Sequence, residues 1–157
     1  MAKATRATQF LDRSGVTYTL HTYDYDPDAD SIGQAAAAAL GEPAGRVFKT
    51  LMVLADGKPA CVIAPSDREV AMKKAAAALG VKQAVMMKPA DAERITGYKI
   101  GGISPFGQTR KVPVVIDASA QEWDSIYING GQRGLQVRLA PDDAISALGA
   151  RQAEIAV

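Results

Sequence analysis

The sequence predicts an α+β domain, a curled mixed sheet with helices packed outside it. Three observations carry that expectation. Strand-like runs come in hairpins, most clearly Val47 to Leu54 and Ala60 to Ala64 about Asp56-Gly57. Helical segments are set apart from the strands and bounded by capping residues and glycine stops. The 157 residues, 48% hydrophobic and 22% charged, suffice for one domain (residues 1–157) with a real core.

In chain order, Ala2 to Ser14 has an amphipathic helical pattern that carries Lys3, Arg6 and Arg13, with Ala7, Phe10 and Leu11 on one face and Gly15 as the stop. Val16 to Tyr23 alternates as a half-buried strand, with Val16, Tyr18 and Leu20 on one side and Thr17, Thr19 and His21 on the other. The acidic run Asp24 to Asp28 is a loop. Ser31 and Gln34 have capping-box spacing before an alanine-rich helix that ends at Leu40-Gly41. After the hairpin, Ser66 and Glu69 have the same spacing and predict a helix reaching Leu79-Gly80. Gln83 to Met87 is a short strand, and Pro89 opens a short helix with Asp91 and Glu93 near its positive end. Val112 to Asp117, Ser125 to Asn129 and Leu135 to Leu139 are strands; Pro141 starts a last helix with Asp142 and Asp143 in its first turn and Gly149 at its end.

Charge and cysteine content narrow the function classes. A net charge of +1 provides no whole-molecule field for a polyanion, so recognition of a nucleic acid has to be local or assisted by another protein. A single cysteine, Cys61, excludes an internal disulfide and a cysteine-rich zinc site. No apolar segment of signal-peptide or membrane-spanning type appears, and a cytoplasmic protein with no membrane partner is expected.

Half of the 14 glycines fall in two stretches, Gly97 to Gly107 and Gly130 to Gly134. Freed backbone N–H groups of that kind can hold an anion or an oxyanion; a glycine-rich hairpin connection is the plainer alternative. Neither stretch has a phosphate-loop or dinucleotide fingerprint. Lys49 lies in Val47-Phe-Lys-Thr-Leu-Met-Val-Leu54, a strand apolar on both faces, so its ammonium either snorkels to an edge or serves a site. His21, the only histidine, is either a general base or a surface residue, and Cys61 in Ala-Cys-Val-Ile has the surroundings of a buried structural thiol. No triad or metal-ligand spacing is present. Short basic patches at Lys73-Lys74 with Arg68, at Arg110-Lys111, and at Arg133 with Arg138 make Lys73, Arg110 and Arg133 candidates for phosphate contacts; a solvated surface is the alternative.

Four separated motifs occur in order: His21-Thr-Tyr-Asp-Tyr-Asp-Pro27, Phe48-Lys-Thr-Leu51, the Gly97 to Gly107 loop and Gly130-Gly-Gln-Arg-Gly134. Together they resemble the YbaK/EbsC family. The resemblance implies a mixed, barrel-like β-sheet surrounded by helices, the fold of the editing domain in bacterial prolyl-tRNA synthetases. It implies hydrolytic removal in trans of cysteine mischarged onto tRNA(Pro), with Cys-tRNA(Cys) a further substrate, prolyl-tRNA synthetase a partner, and no DNA partner. It implies catalytic roles for Lys49 and Gly101, and substrate binding by Tyr23, Thr50, Gly102, Ser104, Pro105, Asn129, Gly130 and Gly131. Asn129 departs from the serine of the family pattern, though an amide can still hydrogen-bond. The family mechanism uses the substrate's own thiol as nucleophile, so no cofactor or metal is expected. An Ala-tRNA(Pro) deacylase of the same superfamily and a non-catalytic binding module are the alternatives.

Overall fold

Most elements start and stop where local chemistry directs. The computed structural model describes residues 4–157; Ala2 and Lys3, the start of the first predicted helix, lie outside them. Helix α1 (Arg6–Arg13) opens on Thr5, whose hydroxyl accepts from Thr8 N while the Thr8 hydroxyl accepts from Thr5 N. Helix α2 (Ile32–Leu40) is capped by Ser31 and closed by Gly41 at φ 71°. Its predicted capping box is only half made, because the Gln34 amide donates instead to Ser66 O at 3.1 Å. Helices α4 (Pro89–Thr96) and α5 (Pro141–Leu148) begin at their prolines and end at Gly97 and Gly149.

The predicted helix beginning near Ser66 is wrong in its first turns. Helix α3 spans Met72–Leu79, with Ala71 at its N-cap. Ser66 is buried, and its hydroxyl donates to Val47 O at 2.5 Å. Glu69 exchanges backbone hydrogen bonds with Val157, so this stretch pairs with the C-terminus instead of coiling. A local capping signal lost to a long-range backbone pairing.

The strands are β1 (Tyr18–Thr22), β2 (Val47–Ala55), β3 (Lys58–Pro65), β4 (Ala84–Met86), β5 (Val114–Asp117), β6 (Ile126–Asn129), β7 (Leu135–Leu139) and β8 (Arg151–Ala153). They form one mixed sheet in the order β1-β7-β6-β2-β3-β5-β8, with β4 on β2. Strand β8 was not foreseen; it adds parallel to β5. The Asp56-Gly57 hairpin turn is as expected, both residues having positive φ.

Period-two alternation gives the sheet two buried faces. One face carries Phe48, Met52, Cys61, Ile63, Ile128 and Val137 under α1, α4 and α5. The other carries Val53, Val62 and Val115 under α3, and Val47 and Tyr127 under α2. Edge strand β1 departs from its predicted alternation. Leu20 is 40% exposed at the sheet margin, whereas His21 is half-buried with its ring edge-on to Tyr127, 5.2 Å between centroids. Among the described residues no helix is long and apolar enough to cross a membrane.

Candidate active site

The sheet splits along β2. Parallel pairing with β6 covers only Val47 and Phe48, and antiparallel pairing with β4 begins at Val53. Lys49 to Met52 therefore have a strand neighbour on the β3 side alone. Lys49 follows Phe48 on β2 and Asn129 follows Ile128 on β6, so the two come side by side where the pairing ends. By register Asn129 lies opposite Gln136, and Gln136 opposite His21; Tyr23 continues that face beyond β1.

Two buried polar atoms without partners, Tyr23 Oη and Gln136 Oε1, lie on the Asn129 side of this split. Thr50 Oγ1 is also unbonded but lies on the other sheet face, and Ser119 Oγ lies in the turn after β5. Each such atom costs about 1–3 kcal/mol, which a bound polar ligand would relieve. Burial pushes the Tyr23 pKa up, so at neutral pH it is a phenol with a proton to donate. Thr50 points to the opposite face from Lys49 by alternation, and only its backbone borders the split on the Lys49 side. Lys49 is half-buried, and its ammonium donates to Arg68 O at 2.6 Å. The charge stops at the rim, held by the segment that replaced the predicted helix turn.

The two glycine stretches are joined here. Asn129 Nδ2 donates to Gly101 O (3.2 Å) and Gln132 O (3.4 Å), while Asn129 Oδ1 accepts from Gly131 N (2.7 Å). Gly101 has φ 89°, and a Cβ there would collide with the Tyr25 ring. Gly102 is in ordinary φ territory but packs backbone to backbone: a Cβ would sit 2.8 Å from Arg133 N. Arg133 stacks over Tyr25, 5.3 Å to the ring centroid, and its Nε donates to Ile100 O at 2.8 Å.

Several predicted site residues are committed elsewhere. Ser104 is fully buried and its hydroxyl accepts from Phe106 N at 3.1 Å, so it shapes the loop and offers a ligand nothing. Pro105 is buried on the far side of the loop. Gly130 is buried against Leu135, and its carbonyl accepts from the Thr5 hydroxyl. Lys73, Arg110 and Arg133 form no common patch: Lys73 lies on α3, Arg110 faces α1 and α5, and Arg133 braces the loop. Tyr25, Gln136 and Arg68 O are the contributors that sequence reading missed. Gln136 was visible as the amide inside Leu-Gln-Val-Arg-Leu, and Tyr25 as the second tyrosine of the acidic loop; nothing local marks a carbonyl.

The site has a cation, a neutral phenol, amides and loop backbone, and no nucleophile of its own. Cys61 is fully buried on the opposite sheet face, and burial pushes its pKa to about 12. Burial, then Arg138, lowers the His21 pKa. Among the described residues no three His, Cys, Asp or Glu side chains converge as metal ligands would. Such a site can orient a bound carbonyl and stabilise charge developing on its oxygen.

Residues 26–147 match the family model of the aminoacyl-tRNA editing domain. The chain belongs to that editing-domain family. Within it, a protein of Enterococcus faecalis named "Putative Cys-tRNA(Pro)/Cys-tRNA(Cys) deacylase EbsC" is 33% identical over 152 residues, 96% of this chain and 92% of that protein. The proline–tRNA ligase of Nitratidesulfovibrio vulgaris is 31% identical over 125 residues, 77% of this chain but 21% of the ligase. A crystal structure titled as "a putative trans-editing enzyme for prolyl tRNA synthetase" superposes with a TM-score of 0.82 at 20% identity, covering 97% of this chain and 95% of the other; it demonstrates the shared fold. The matched stretch includes Lys49, Gly101 and Asn129, while Tyr23 lies before it.

Proposed function

We propose that this editing-domain protein is a deacylase that removes cysteine from tRNA(Pro) in trans, with Cys-tRNA(Cys) a second substrate. The observation that carries the proposal is the split in the sheet at Lys49, where the unbonded, buried Tyr23 hydroxyl and Gln136 amide oxygen share a face with Asn129, the tether of the glycine loop. The name of the Enterococcus faecalis relative supports the cysteinyl substrate. The single cysteine, Cys61, is buried on the other sheet face, which favours attack by the substrate itself. The cysteinyl sulfur bonds to its own carbonyl carbon, the ester C–O bond breaks, and the thiol proton passes to the departing ribose oxygen. Free tRNA and a cyclic thiolactone are the products. Lys49 then offsets charge on the ester, the Tyr23 hydroxyl donates to the aminoacyl group, and the backbone at Gly101 and Gly102 confines it. The translation machinery, including a prolyl-tRNA synthetase, is the proposed setting, and the cytoplasm its compartment.

The test is a panel of Cys-tRNA(Pro), Ala-tRNA(Pro) and Pro-tRNA(Pro), each with and without prolyl-tRNA synthetase. Deacylation of Cys-tRNA(Pro) alone is expected. Preferred cleavage of Ala-tRNA(Pro) would reassign the substrate, and no cleavage of any of the three would leave a binding module.

A further inference from the structure

Behind the glycine loop, away from Lys49, lies a cleft of about 410 Å³ between α1, α5 and the chain that runs from the loop into β5. Arg6, Arg13, Arg110 and Lys111 line it, and no acidic side chain does. All four are exposed, and among the described residues none of them makes an ion pair or a side-chain hydrogen bond. The nearest acid on α1, Asp12, is engaged by the Tyr18 hydroxyl at 2.7 Å. In a chain whose total charge is +1, four unneutralised cations around one concavity are a local concentration. Phe10 lies in the lining between them, backed by the stacked Phe106 ring at 6.2 Å.

We propose that this cleft binds one nucleotide of a single-stranded RNA segment, with its phosphate on the arginine and lysine rim and its base against Phe10. Cations around an aromatic platform are the combination that holds single-stranded nucleic acid without reading its sequence. The inference rests on the proposed deacylase reading for its choice of RNA. The glycine loop links the two places: Gly101 borders the Lys49 site and Pro105 lines the cleft, four residues on and at most about 14 Å of extended chain away. For an RNA strand whose 3′ end occupies the Lys49 site, the cleft would take an upstream nucleotide that has crossed the glycine loop.

The test is binding of a fluorescently labelled single-stranded RNA hexamer, ending in CCA, at several salt concentrations. The protein should bind with an affinity that falls linearly on a log–log salt plot. Arg13→Gln with Arg110→Gln should weaken binding at least tenfold and reduce the salt slope by about 1.4, the value for two lost phosphate contacts on a single strand. Phe10→Leu, chosen over alanine to keep the packing on Phe106, should weaken binding severalfold and leave the slope unchanged. Unaltered affinity and slope in the folded double variant would overturn the proposal. So would a polyglutamate peptide that competes as well as the RNA, since the cleft would then be a dock for an acidic protein segment. Because this readout needs no turnover, an inactive protein whose cleft still binds RNA would fail the deacylase reading alone, and an active protein with an unmoved salt slope would fail this one alone.

Discussion

At the scale of single residues, Lys49 decides whether the site is catalytic. Its ammonium has one protein partner, Arg68 O, so its removal leaves no buried charge behind. Lys49→Ala should remain folded and lose about a hundredfold to a thousandfold in single-turnover deacylation of Cys-tRNA(Pro), the usual loss of one transition-state donor. Lys49→Arg should recover only part, because the guanidinium is planar and larger, and a donor it supplies to Arg68 O sits differently from the compact ammonium. A folded Lys49→Ala as fast as the parent protein would reduce the lysine to a rim residue. Cys61→Ser is the complementary test. Turnover should persist, with stability lower by about 1–3 kcal/mol for the hydroxyl placed in the core; lost turnover in a folded protein would revive an enzyme nucleophile. Asn129 is a positioning residue. Asn129→Ala removes the hydrogen bonds to Gly101, Gln132 and Gly131 together and should slow turnover on the order of tenfold to a hundredfold. Asn129→Ser keeps an acceptor for Gly131 N–H and should lie between the two; a serine variant slower than the alanine one would contradict the tether.

At the scale of elements, the two glycine stretches act as one clamp. Their density was legible in the sequence, but their mutual packing was not, because Gly102 and Arg133 meet only after β6 and β7 have formed their hairpin. Gly102→Ala is the informative substitution. Its φ is permitted to any residue, so the effect would come from contact alone, with a methyl 2.8 Å from Arg133 N and 2.9 Å from Gln132 C. Backbone on both sides cannot yield as a side chain would. The stretches should part, with turnover down on the order of a hundredfold and the melting temperature lower by a few degrees (roughly 1 kcal/mol of strain). Thermal unfolding at normal temperature together with normal turnover would show that the clamp tolerates opening. The Ser66 segment teaches the reverse lesson. Its capping-box spacing is genuine in sequence, yet the Ser66 hydroxyl and the Glu69 backbone found long-range partners in Val47 and Val157.

At the scale of the molecule, Asp117 ties the C-terminus to the sheet. Its carboxylate accepts from Ile155 N and Ala156 N at 2.9 Å each and from Ser119 N at 3.1 Å. Burial alone would raise its pKa, but these hydrogen bonds outweigh burial and hold it below the ordinary 3.8. A depressed folded pKa means that the unfolded chain takes up the proton first as pH falls. The stabilisation is therefore whole above about pH 5 and is lost as pH drops through the ordinary value toward the folded one. Denaturant midpoints measured from pH 6 to pH 3 should fall, and Asp117→Asn should be less stable at pH 6 with a flatter pH profile. An equal slope in both proteins would assign the acid sensitivity elsewhere. The same carboxylate anchors the segment that pairs with Glu69 and Val70, next to the Arg68 carbonyl that receives Lys49.

The sequence by itself determined the elements whose signals are local. Proline starts, glycine stops, the Asp56-Gly57 turn and the alternation of β2 and β3 depend on residues within a few positions of one another. It also marked Lys49 as a charge in an apolar strand and Cys61 as a core thiol. Only the tertiary structure decided where those elements leave a gap. The split along β2 arises because β6 ends at Asn129 and β4 ends at Met86 opposite Val53, two events far apart in the chain. Which carbonyl receives Lys49, which hydroxyls are left unbonded, and which glycines touch are likewise consequences of strand register. Hydrogen bonds and close packing act over about 3–4 Å in space irrespective of sequence distance, and a linear pattern carries the local half of that information alone.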